Sequence, residues 1–149
     1  MAPFDLIRAG EHIHGHLGWL SAAALLHPAI LLRRVKRAAH LSVALAVGLV
    51  TLVGALGAAL YTPYRDALRQ PIFAEAPTLG YLFERKEHLA FGSVVFAWVG
   101  AFAYIGGIYA DATARPSLRR AAHWAFIASA GLAITAAVLG TIVASFKSF

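Results

Sequence analysis

Apolar residues gather in four stretches, at about 12–32, 38–61, 88–110 and 121–146, with polar breaks between them. A bilayer core takes about 20 predominantly apolar residues per helix, and the last three stretches meet that length. The first is less regular. Its apolar run from Leu17 to Leu32 is short, so its helix is expected to begin near Glu11 and to be kinked by Pro28. The pattern predicts an all-α chain in which residues 1–149 form one domain, an integral membrane four-helix bundle built from two repeated helical hairpins. Residues 62–87 are expected as a long outer loop.

Composition supports the same class. With 60% hydrophobic and 13% charged residues and a mean hydropathy of +0.69, the chain is too apolar for a soluble globule of its size. The net charge of +6 sits in short basic runs between apolar segments, which fits membrane orientation better than nucleic-acid binding. The lipid bilayer is the expected partner, and nucleic acid is not. Arg33, Arg34, Lys36 and Arg37 lie between the first two stretches, and Arg115, Arg119 and Arg120 between the last two. The long middle segment balances Arg65, Arg69, Arg85 and Lys86 against Asp66, Glu75, Glu84 and Glu87. By the positive-inside rule the two basic breaks are cytoplasmic, which puts both termini and the long segment outside. The N-terminus has no basic start or small-residue cleavage site, so the first span is expected to remain in the mature chain, in a bacterial inner membrane.

Candidate chemistry rests on histidine. Six of the seven lie at or near the ends of the apolar segments, and His16-Leu17-Gly18 is echoed by His88-Leu89-Ala90, as Arg37-Ala38-Ala39-His40 is by Arg120-Ala121-Ala122-His123. In the expected topology His16 and His88 pair near the outer face, and His40 and His123 pair about one turn in from the inner face. Imidazoles set against apolar helices are costly unless something binds them. With no cysteine, thiolate ligation, iron–sulfur clusters and covalently attached haem are excluded. Two facing imidazoles in a bundle supply both axial ligands of a low-spin haem b. Two such haems would form an electron path across the bilayer, with Arg37 and Arg120 beside the inner pair and Arg65 beyond the second span as propionate partners.

The chain resembles the cytochrome b-561 superfamily of transmembrane b-type cytochromes. The similarity is carried by His14-Gly15, Trp19, Pro28 and Arg33-Arg34 with His40 following, by His88 with Gly92, and by His123 beside Trp124. The resemblance implies a four-helix core with haem-binding histidines on alternate helices and a role as a transmembrane electron-transfer oxidoreductase. It also implies a redox donor and acceptor, either a quinol or redox proteins. By the His-Gly motif the first outer ligand is His14, whereas the internal repeat selects His16, and by depth His12 also qualifies. That family's ascorbate site is not carried over.

Other readings stand beside this one. Glu84 and His88 are four residues apart, as are His12 and His16, and such a set suits zinc, copper or non-haem iron in a metal-binding or metal-transport membrane protein. The simpler fate of Glu84 and Glu87 is pairing with Arg65, Arg85 or Lys86 on a solvated rim. His27, whose counterpart in the second half is Val99, falls outside the symmetric scheme and reads first as a hydrogen-bonded core histidine, with a proton-handling residue or a replacement ligand for the inner haem as alternatives. A further alternative is a structural subunit, associated with copies of itself or with a larger membrane complex.

Overall fold

The computed structural model describes residues 3–33, 39–67 and 69–146. They form α1 (Pro3–Leu32), α2 (His40–Ala67), α3 (Arg69–Glu75), α4 (Pro77–Tyr109) and α5 (Arg115–Phe146). Four of these, at Ala9–Leu32, His40–Pro63, Pro77–Tyr109 and Arg115–Ser145, are long and apolar enough to cross a membrane, as in an integral membrane protein. Pro28 lies inside α1 and Pro63 inside α2.

Residues 62–87 differ from the expected loop. α2 runs on through Ala67, α3 forms a short helix, and α4 starts at Pro77, where a proline in the first turn has no N–H to lose. Packing holds this region in helical form. Phe73 of α3 lies so close to Gly80 of α4 that a Cβ there would come within 2.7 Å of its ring. The Phe73 and Tyr81 rings meet edge to face at 5.3 Å, and Arg69 donates to Glu84 Oε1 at 2.9 Å.

The long helices form a ring of antiparallel neighbours. α4 packs most extensively on α5, α1 packs on α5 and on α2, and α2 closes least extensively of the four, against α4. Direction is visible in the pairings: Gly10 lies against Leu60 and His27 against Ser42 between α1 and α2, while Lys86 lies against Gly140 and Gly107 against Arg119 between α4 and α5. One end of the bundle therefore carries the α1–α2 and α4–α5 connections, here called the connection end. The opposite, terminal end carries the start of α1 and the end of α5 together with α3.

Small residues allow this packing. The core stripe is Ala22, Leu25, Ala29 and Leu32 on α1, Val43, Ala46, Val47 and Val50 on α2, Ala97 and Ala101 on α4, and Ala122, Phe126, Ala130 and Ala133 on α5. Alanine and glycine let helices approach closely where apolar lipid removes the usual hydrophobic drive to associate. Phe126 is fully buried against Gly100, where a Cβ would lie 2.9 Å from its ring. Midway along the same pair of helices, Ser93 Oγ donates to Ser129 O at 2.9 Å and Ser129 Oγ returns a bond to Ser93 O at 2.7 Å. Trp19 Nε1 donates to Thr141 Oγ1 and Trp98 Nε1 to Thr51 Oγ1, so both indoles keep a partner across a helix pair. The large exposed side chains, among them Ile30, Leu41, Phe91 and Phe102, point out of the bundle. That is the expected face toward lipid.

Candidate functional site

At the terminal end, helix phase decides which of three histidines faces inward. At about 100° per residue, the eleven positions from Leu25 back to His14 bring it to within about 20° of the buried stripe, while His16 falls about 180° away. The structure agrees: His14 is half-buried, and His12 and His16 are exposed. The His14 ring lies on Gly57 of α2, where a Cβ would come 3.0 Å from its Cε1. Its Nδ1 is buried with no hydrogen-bond partner. An imidazole nitrogen in that position costs about 1–3 kcal/mol unless something binds it.

On α4, His88 is exposed, with its Nδ1 2.8 Å from the carbonyl of Glu84. A carbonyl only accepts, so in the neutral ring Nδ1 carries the proton and Nε2 keeps its lone pair. Beside it is an open hollow of about 500 Å³ lined by Arg85, His88 and Leu89. Glu84 is engaged by Arg69, with both side chains well exposed. Pairing on a solvated rim is thus its fate, with Arg69 as the partner in place of Arg65, Arg85 or Lys86. Among the described residues no group of three or more His, Asp or Glu side chains converges as a metal site. The set His12, His16, Glu84 and His88 is not assembled in that way. Arg65 lies exposed in the last turn of α2.

The connection end holds a second group. His123 of α5 is half-buried, and its Nδ1 lies 2.8 Å from the carbonyl of Ala29 on α1, so its Nε2 also keeps a lone pair. His40, the first residue of α2, is exposed and meets the Tyr104 ring edge to face at 5.4 Å. Tyr104 is buried, and its hydroxyl accepts the Ala39 N–H at 2.9 Å. On its other side the Arg119 guanidinium lies 5.9 Å from the ring centroid. Arg119 is half-buried and Arg120 exposed, so the inward arginine is the neighbour of the one the repeat singles out. Arg37 lies outside the described residues. His27 is exposed, with Nδ1 2.9 Å from Ser42 Oγ. It is hydrogen-bonded as expected but faces out of the bundle and not into the core.

Sequence reasoning passed over Tyr104 and Arg119 and set His16 before His14. The signal for His14 was present in the spacing of Ala22, Leu25, Ala29 and Leu32. For Tyr104 only its regular spacing of seven from Ala97 marks the buried stripe of α4, and nothing in the sequence marks its partners.

The residues suit a b-type haem in donor type. Nitrogen donors with free lone pairs, His88 and His123, stand at opposite ends, and the unpartnered nitrogen of His14 lies at the same end as His88. The sequence matches no family model, and no curated protein or solved structure matches it.

Proposed function

We propose that the chain is a membrane b-type cytochrome that carries electrons across or within the bilayer through two bis-histidine haems. The observation that carries this reading is the bonding of His88 and His123. Each has its Nδ1 proton committed to a backbone carbonyl, the arrangement that fixes ring orientation and tautomer in metal-ligating histidines. His88 would hold one haem at the terminal end, either with His16, which faces out of the bundle as His88 does, or with His14, whose buried nitrogen faces inward. His40 and His123 would hold the other at the connection end. When bound, haem supplies a one-electron couple at each end. The protein's own part is to orient the four imidazoles, exclude water by close packing of α4 on α5, and present Arg119 and Arg120, together with Arg37 and Arg65, to anionic groups. In this reading the connection end is cytoplasmic, in a bacterial inner membrane, with a quinol or redox proteins as donor and acceptor. The bundle acts alone, as a homo-oligomer or within a larger complex.

The test is the absorption spectrum and haem content of purified protein. Two six-coordinate haems per chain are expected. His40→Ala and His123→Ala should each lose the same one and His88→Ala the other, and of His14→Ala and His16→Ala only one should match His88→Ala. A colourless protein from haem-sufficient cells overturns the reading, and stoichiometric zinc or copper in that colourless protein would favour the metal-binding alternative.

A further inference from the structure

His27 is an ionisable side chain on the outer surface of a membrane-crossing helix. It lies five residues before the end of α1 at Leu32, which is about 7–8 Å along the axis. Its surroundings are apolar: Leu26 and Ile30 on α1 and Leu41 and Leu45 on α2 are all exposed. Imidazole groups in such a setting are expensive and mark ligand or proton pathways. The ring spends one nitrogen on Ser42 Oγ at 2.9 Å, and its Nε2 has no partner among the described residues. An imidazole nitrogen and a hydroxyl are thus grouped at the bilayer-facing seam of α1 and α2, at the same end as His40 and His123.

We propose that this seam binds the head of a lipid-soluble quinone or quinol, with His27 Nε2 and the Ser42 hydroxyl hydrogen-bonding its carbonyl or hydroxyl oxygens. The exposed aliphatic residues around the pair suit a flat ring and its apolar tail. A phospholipid presents its polar atoms at the bilayer surface and would have to be drawn inward to reach this pair. The binding claim stands on the seam alone. Assignment of the ligand as the electron donor or acceptor rests on the cytochrome reading.

Binding is read by quenching of the intrinsic tryptophan fluorescence of the detergent-solubilised protein on titration with a short-chain ubiquinone. Saturable quenching is expected in the unmodified chain. Loss of one hydrogen bond of about 1.4 kcal/mol weakens the apparent Kd about tenfold, the effect expected of His27→Leu, and Ser42→Ala should weaken it several-fold. His12→Leu, at an exposed histidine of the other end, should leave it unchanged. Linear quenching without saturation, or an equal Kd in His27→Leu and the unmodified protein, overturns the proposal. So does unchanged quinone affinity in a His27→Leu protein that has lost its co-purified phospholipid, which would identify a headgroup site. The two readings fail separately: a haem-free protein with His27-dependent quenching retains the quinone site, and a haem-loaded, dithionite-reducible protein with no saturable quenching retains only the cytochrome.

Discussion

The serine pair between α4 and α5 gives a quantitative test of the packing that sets the relative heights of His88 and His123. Ser93 and Ser129 are both fully buried, and each hydroxyl donates to the backbone carbonyl of the other residue. Those carbonyls belong to regular helices, so Ser93→Ala removes one interhelical bond without stranding a backbone group. Interhelical hydrogen bonds within membranes average about 0.6 kcal/mol and reach about 1.7, and that range is the expected loss for either alanine variant. The hydroxyl oxygens also lie 3.2 Å apart, but each already has a carbonyl acceptor. Because the two residues touch and bond each other reciprocally, the double variant should depart from the sum by about 0.5 kcal/mol or more. Valine at either site adds carbon to a filled contact and should cost about 1–3 kcal/mol more through overpacking. Reversible unfolding in mixed micelles, followed by circular dichroism, measures the unmodified protein and each variant. A stabilised alanine variant, or a valine variant no worse than alanine, would refute the tight α4–α5 contact.

Gly57→Ala should displace the His14 ring, because a Cβ there lies 3.0 Å from Cε1. Gly48→Ala, where nothing lies within 4 Å, should be neutral or stabilising by up to about 1 kcal/mol. Equal ring nitrogen shifts for His14 in the two variants, measured by NMR, would contradict the contact. Before α5, the Asp111 carboxylate accepts hydrogen bonds from the Thr113 hydroxyl and then the Ala114 and Thr113 amides, which hold its pKa below the usual aspartate range. A depressed folded pKa means the contribution of these bonds is present above the ordinary aspartate value and is lost as pH falls through the folded one. Its carboxyl carbon should therefore titrate below the ordinary aspartate range. A midpoint within or above that range would show that the turn is not formed.

The four long helices were legible because the bilayer imposes a length that composition alone reveals. The region 62–87 was not, because its charges suggested a solvated loop. Its Leu, Ala, Glu, Arg and Lys are good helix formers, and the Phe73–Gly80 contact that settles the matter joins residues whose proximity no local pattern announces. The histidines show the same division. Their presence at the segment ends is a sequence fact, but the matching of His16 with His88 compared positions along the chain and ignored rotation about the helix axis. Rotation turns His14 inward and both His16 and His88 outward. Arg119 and Arg120 are adjacent in sequence, and only the ring of Tyr104 tells which guanidinium enters the bundle.

The length of α4 has a consequence for whatever meets the protein at its terminal end. Its 33 residues extend about 50 Å, against a hydrocarbon thickness of about 30 Å. With modest tilt, several turns stand beyond the lipid, and α3 braces them through Phe73 and the Arg69–Glu84 pair. An incoming molecule therefore encounters an already shaped ledge. Little chain entropy remains to be lost on docking, so complementarity of charge and contour translates more directly into affinity than it would on a flexible loop.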